Sequence, residues 1–258
     1  MENRSKPIAV IDSGVGGISV LRELVEIMPH EDYIYFGDSA NAPYGTRDKS
    51  DVLNITRANL DMLKDIGIKA LVIACNTATS VAVKILREEN PDLIIVGIEP
   101  AIKPPALLYD HPTVLVMATP LTLKEEKFLS LMAKYADRET IIPLPCPRLA
   151  ELIESGELDS PEIDKYVREL LSPYREQKID ALVLGCTHYP HVKDVIMRYV
   201  SPTVRIFDGG EGTAQETRRR LESAGLLRSG EGCGRVKFLN SSDDERLIEL
   251  SKKLLCRQ

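Results

Sequence analysis

The chain has 258 residues, a formal net charge of −6 and 43% hydrophobic residues, which is the composition of an ordinary globular protein and suits two domains. The acidic balance argues against nucleic-acid binding, and no apolar run approaches the roughly 20 residues of a membrane span. The polar N-terminus has no signal-peptide core, and the five cysteines are widely spaced. We therefore expect free thiols in a reducing, cytoplasmic setting.

Strand and helix signals alternate along the chain, which predicts an α/β fold with largely parallel sheets. The first round comprises strand 8–12, turn 13–17, helix 18–28, strand 33–36, helix 52–66, strand 68–75, helix 78–88 and strand 93–98. The second comprises strand 113–118, turn 119–122, a helix from Ser160-Pro161, strand 179–186, a helix to about Tyr199 and strand 203–207. Two helices around a strand at 235–239 follow, and we expect them to return to the first half. This pattern predicts two pseudo-symmetric domains, 1–98 with 208–258 and 99–207.

One segment occurs twice, as IKALVIAC at 68–75 and as IDALVLGC at 179–186. Each copy is an apolar run of the kind that forms a buried parallel strand, and each ends in cysteine. Because ligands of open parallel sheets bind at the carboxyl ends of strands, the halves would present Cys75 and Cys186 to a shared cleft. An isolated buried cysteine is usually only a small apolar residue. Paired thiols across a substrate suggest two-sided proton transfer.

A glycine-rich turn, Asp12 to Gly17, follows the first strand and opens a helix. Its glycines would let the backbone approach an anion at the helix N-terminus. The spacing is neither G-x-G-x-x-G nor a P-loop, so an amino-acid carboxylate fits better than a dinucleotide. Asp12 would either orient a catalytic partner or cap the helix.

His188, two residues after Cys186, would either polarise that thiol or act as a helper acid. With Cys186 and His191 it gives only part of a zinc site, and no metal site is predicted, because no further close ligand has the required spacing. His191 is predicted on a helix surface. The other cysteines are predicted to be structural or incidental: Cys146, in a proline-rich turn, Cys233 and Cys256.

Six motifs, in this order, resemble glutamate racemase: Asp12–Gly17, Phe36–Asp38, Pro43–Gly45, Ala74–Ala78, Ala118-Thr119 with Thr122, and Leu184–Pro190. Asp208 to Ala214 resembles the last signature of that family. The resemblance implies a cofactor-independent enzyme, with its active site between the two domains. It would interconvert L- and D-glutamate for peptidoglycan precursors, and the family commonly forms homodimers.

By this resemblance, Cys75 takes the α-proton of D-glutamate and Cys186 that of L-glutamate. Asp12 and His188 assist the thiols, and Glu154 aligns with a glutamate of a proton relay. The positions that hold substrate are Asp12, Ser13, Tyr44, Gly45, Asn76, Thr77, Thr122, Thr187 and His188.

Three residues depart from the family pattern: Glu125 and Gly209 replace serines, and His191 replaces a leucine. We also expect the chain to lack the N-terminal extension of members that a cell-wall nucleotide precursor activates. Two alternatives remain open, an aspartate racemase-like enzyme and a non-catalytic amino-acid-binding or partner-inhibiting protein of this fold. Intact Cys75 and Cys186 argue against the second.

Overall fold

The computed structural model describes residues 2–230 and 232–257, in which strands and helices alternate. The strands are β1 (Ile8–Asp12), β2 (Tyr33–Gly37), β3 (Ala70–Ile73), β4 (Ile94–Gly97), β5 (Thr113–Ala118), β6 (Thr140–Pro145), β7 (Ala181–Leu184), β8 (Arg205–Asp208) and β9 (Val236–Asn240). The α-helices are α1 (Ile18–Ile27), α2 (Lys49–Ile66), α3 (Asn76–Glu89), α4 (Lys103–Leu108), α5 (Pro120–Lys124), α6 (Glu126–Tyr135), α7 (Leu149–Glu154), α8 (Pro161–Leu171), α9 (Lys193–Met197), α10 (Gly210–Ser223) and α11 (Glu245–Cys256).

The strands form two sheets, in the orders β4-β3-β1-β2-β9 and β8-β7-β5-β6. Every pair of neighbouring strands is parallel, which confirms the predicted α/β class. Without β9 the two orders are the same, because β1 to β4 correspond to β5 to β8. Cys75 follows β3 and Cys186 follows β7, so the two thiols occupy equivalent places.

The central strands are buried on both faces because helices cover both sides of each sheet. Val10 of β1 packs in one core with Leu21 of α1, whereas its neighbour Ile11 packs in a second core with Leu60 of α2. The first core continues into the second half of the chain through Leu115 of β5. The two sheets therefore share one body of packed apolar side chains.

Two connections differ from the sequence prediction. Residues 119–122, predicted as a turn, begin helix α5, because Thr119 is its N-cap and a proline follows. The Oγ1 atom of Thr119 accepts a hydrogen bond from the Thr122 backbone at 3.3 Å. The helix predicted after the second cysteine is divided into a 3₁₀ turn at Tyr189–Val192 and the short α9.

The last segments of the chain return to the first sheet. Strand β9 pairs with β2, and helices α10 and α11 pack against α1. The boundaries of the two domains stay a prediction. Among the described residues, no helix combines the length and the apolar character that a membrane span needs.

Candidate active site

A cavity lies where the carboxyl ends of the two sheets meet, and about 420 Å³ of it is not occupied by atoms. Most of the predicted site residues line it: Ser13, Tyr44, Gly45, Cys75, Asn76, Thr77, Cys186 and His188. The other three lie behind its wall. Thr122 is hydrogen-bonded to Thr77, and Asp12 is hydrogen-bonded to Thr187. The structure thus brings every predicted site residue to one place.

Cys75 is the N-cap of α3, directly after the buried β3. Its Sγ atom accepts a hydrogen bond from the Ala78 backbone at 3.5 Å and donates to Ser13 Oγ at 3.8 Å. The residue is 6% exposed. Burial, together with the nearby Asp12 carboxylate, raises the pKa of the Cys75 thiol to about 12. Cys75 is therefore held as a neutral thiol, the form that donates a proton.

Cys186 has a different neighbourhood. Its Sγ atom lies 3.7 Å from Nδ1 of His188, whose Nε2 atom lies 2.6 Å from Oε1 of Glu154. Burial opposes a charge on the imidazole, but the hydrogen bonds and negative charges of Cys186 and Glu154 outweigh it and raise the pKa of His188. His188 is therefore held as an imidazolium with a proton that it can exchange with the Cys186 sulfur.

Asp12 links the two halves of the site. Its Oδ1 atom accepts from the Gly14 backbone at 3.1 Å, and its Oδ2 atom accepts from the Thr187 hydroxyl at 2.9 Å. Burial raises the pKa of Asp12, while the charge of His188 opposes that rise. Helix α1 has Gly17 as its N-cap and no side-chain cap bond, so Asp12 orients its neighbours and is not a cap.

Two backbone N–H groups of the glycine-rich turn are bound by carboxylates of the protein itself. Val15 donates to Oε1 of Glu154 at 2.7 Å and Gly14 donates to Asp12. A Cβ atom on Gly14 would lie 1.9 Å from Glu154 Oε1, and one on Gly16 would lie 2.4 Å from Nδ1 of His188. The glycines therefore leave room for side chains from the second half. That this turn also holds a substrate carboxylate stays a prediction.

Polar groups from both halves line the cavity or support its lining. The hydroxyl oxygens of Thr77, Thr119 and Thr122 lie 2.9 to 3.1 Å from one another. The Oδ1 atom of Asn76 is buried without a hydrogen-bond partner. An unpaired buried acceptor is costly unless a ligand satisfies it, and an ammonium group supplies donors only. The Tyr44 hydroxyl donates to the buried Asp38 carboxylate, which fixes its ring.

The sequence prediction for His191 is wrong. His191 lies buried, not on a helix surface, and its Nε2 atom is 3.1 Å from the Gly16 carbonyl oxygen. Cys146, predicted to be structural or incidental, is buried and also lines the cavity, which the sequence did not predict. Its backbone donates to Ala118 just as Asp38 donates to Asp12, so it is the second-half counterpart of Asp38. Aligning the sequences of the two halves beyond the cysteine strands could have predicted this position of Cys146.

The other two residues that depart from the family pattern, Glu125 and Gly209, are also buried. Glu125 forms an ion pair with Lys49 at 2.7 Å, which joins the start of α2 to the junction of α5 and α6. Gly209 is required by close packing, because a Cβ atom there would lie 2.4 Å from the Glu99 carbonyl oxygen. Within residues 2–230 and 232–257, no three His, Cys, Asp or Glu residues are grouped as metal ligands would be.

Comparison with known proteins identifies the family. A profile of Asp/Glu/Hydantoin racemases matches residues 8–217. The chain belongs to this racemase family. It is 47% identical over 252 residues to glutamate racemase of Clostridium perfringens, across 98% of this chain and 97% of that one. It is 45% identical over 255 residues to the Clostridium botulinum enzyme (strain Alaska E43), across 99% of both. The structure of Francisella tularensis glutamate racemase with D-glutamate matches 99% of this chain and 95% of its own, with a TM-score of 0.84 and 28% identity.

The close approach at the turn predicts a strong effect of one methyl group. Gly14→Ala should destabilise this racemase-family protein by about 2 kcal/mol, because the Glu154 carboxylate, which the new Cβ overlaps, must give up its bonds to Val15 and His188 in order to move. Gly212→Ala is the matched control, since nothing lies within 4 Å of its Cβ position in α10. That change should stabilise the protein by about 0.5 to 1 kcal/mol. Urea unfolding of the variants checks both, and equal stabilities would contradict the packing described.

Proposed function

We propose that this protein is a glutamate racemase that moves the α-proton between two cysteine thiols without a cofactor. One observation carries the proposal: Cys75 and Cys186 line a single cavity from equivalent ends of the two sheets. The near full-length similarity to glutamate racemases supports glutamate as the substrate.

Inversion at the α-carbon needs a base on one face and an acid on the other, both positioned by the site. We assign Cys75 to the α-proton of D-glutamate and Cys186 to that of L-glutamate. Asp12 assists Cys75, because the charge of the Asp12 carboxylate acts on that thiol and raises its pKa. His188, with Glu154 behind it, assists Cys186. The two thiols exchange the roles of acid and base when the reaction runs in the opposite direction.

Hydroxyl and amide groups, together with His188, hold the substrate, because no lysine or arginine is among the described residues that line the cavity. We assign substrate contacts to Ser13, Tyr44, Gly45, Asn76 and Thr77, all in the cavity wall. Asn76 supplies an unpaired acceptor for the ammonium group. Thr122 and Thr187 act from behind, where they orient Thr77 and Asp12.

We extend the proposal to the setting of the enzyme. It supplies D-glutamate for peptidoglycan synthesis in the cytoplasm and works as a homodimer built from two domains, 1–98 with 208–258 and 99–207. Two features support this arrangement. The pairing of β9 with β2 attaches the C-terminal segments to the first sheet. Adjacent exposed apolar side chains at the end of α4, Leu107 and Leu108, suit a surface that a second copy covers.

The first test is activity itself. The purified protein should racemise L-glutamate in the presence of a chelator and without added pyridoxal phosphate, because the proposed chemistry uses only thiols. Polarimetry with L-glutamate and L-aspartate in turn measures it. A strict requirement for metal or pyridoxal phosphate would contradict the cofactor-free mechanism. A preference for aspartate would mean that aspartate, and not glutamate, is the substrate. Inactivity towards both amino acids would favour a non-catalytic binding protein.

The second test removes each thiol. Cys75→Ala and Cys186→Ala should each lower kcat by about 10³-fold or more, since one inversion needs both faces. The matched controls are Cys233→Ala and Cys256→Ala, whose thiols are exposed. They should retain the parent activity within a small factor. Full activity in either cavity variant would remove that cysteine from the mechanism.

The third test follows the proton. In heavy water the donating thiol carries deuterium, because thiol protons exchange with solvent when the site opens. Starting from L-glutamate, the first D-glutamate formed should be deuterated at the α-carbon, while unreacted L-glutamate stays protiated. Mass spectrometry of the separated enantiomers at low conversion measures this. D-glutamate that is mainly protiated would overturn the two-thiol mechanism, because a single base returns the original proton.

A further inference from the structure

His191 lies buried between the two halves of the site. Its Nε2 atom is 3.1 Å from the Gly16 carbonyl oxygen, and a carbonyl only accepts, so Nε2 carries the hydrogen. Burial, together with the charges of His188, Arg22 and Arg257, lowers the pKa of His191 to about 3, although the Gly16 bond opposes this change. His191 is therefore neutral at physiological pH. It acts as a fixed donor and not as an acid or base.

Gly16 is the backbone against which the His188 ring rests. A Cβ atom on Gly16 would lie 2.4 to 2.7 Å from Nδ1, Cε1 and Cγ of that ring. The Nδ1 atom is also the one that faces Cys186 at 3.7 Å. Glu154 fixes the opposite edge through Nε2. The position of Gly16 thus limits how closely Nδ1 approaches the sulfur.

We propose that His191 is a positioning residue, which holds Gly16 by its carbonyl and thereby keeps Nδ1 of His188 at hydrogen-bonding distance from Cys186. The proposal rests on the proposed function only for its kinetic consequence. Gly16 has no side chain to fix it, and the other donors to its carbonyl, the backbone and hydroxyl of Ser19, come from the same half. His191 supplies the contact from the half that carries Cys186 and His188.

The test compares two substitutions of His191, one that removes the hydrogen-bond donor and one that keeps a donor. His191→Leu removes the hydrogen bond and retains apolar bulk, whereas His191→Gln can place an amide N–H near the same carbonyl. His191→Leu should lower kcat about tenfold with a smaller change in KM, because a catalytic pair is misplaced. The Gln variant should recover most of that loss. Should the Leu variant fail to fold, His191→Met takes its place.

The second readout does not depend on activity. The bond to Cys186 raises the pKa of His188, and Glu154 and Asp12 are the other charged groups that interact with it. A looser contact should therefore lower the pKa of His188 in His191→Leu but not in His191→Gln. Histidine NMR measures this, with the His188 signal assigned by its loss in His188→Gln and the exposed His111 as internal control. The alkaline limb of kcat/KM should move to lower pH in parallel.

The outcomes separate the two proposals. An unchanged His188 titration in His191→Leu would overturn the role of His191, and so would equal kinetic losses in the Leu and Gln variants. If the wild-type protein does not racemise glutamate, the proposed function fails. The NMR titration then still decides the role of His191.

Discussion

The two thiols share one cavity only because the halves of the molecule meet at a turn with almost no side chains. At Gly14 and Gly16, side chains from the second half occupy the space where Cβ atoms would stand. This lets Glu154 reach a backbone N–H of the first half and lets His188 lie against the turn. The same short distance between the halves lets the Asp12 carboxylate accept a hydrogen bond from Thr187.

The fold is nearly symmetric, but the chemistry at its two thiols is not. Strands β3 and β7 place the cysteines at equivalent points. Cys75 then lies near a carboxylate and Cys186 lies beside an imidazolium. The same asymmetry recurs at the next pair of equivalent positions, where Asp38 in one half corresponds to Cys146 in the other. A shared scaffold therefore fixes where the two sulfur atoms lie, while neighbours that differ between the halves raise the pKa of the Cys75 thiol in one half and of the His188 imidazole in the other.

The sequence predicted the α/β class and the central strands because apolar runs and turn residues are local signals. It also predicted the cavity residues at strand ends, since parallel topology brings those ends together. It did not predict the burial of His191 or the cavity position of Cys146. Both depend on contacts between segments far apart in the chain, for His191 a bond to Gly16, that no local pattern records. For the same reason it did not predict that the glycine turn binds a carboxylate from the end of α7, which spacing cannot show.

The ring of hydroxyls at Thr77, Thr119 and Thr122 has a consequence for handedness. Each hydroxyl has one hydrogen and two lone pairs, so the three hydrogens can circulate around the ring in either sense. Reversing the circulation turns every O–H bond towards its other neighbour without moving an oxygen atom. The hydroxyls of Thr77 and Thr119, which line the cavity, change the direction of their dipoles in this way, while Thr122 behind them completes the ring. A pocket that must accept two mirror-image ligands in turn gains hydroxyl groups that can present either a hydrogen or a lone pair to each of them.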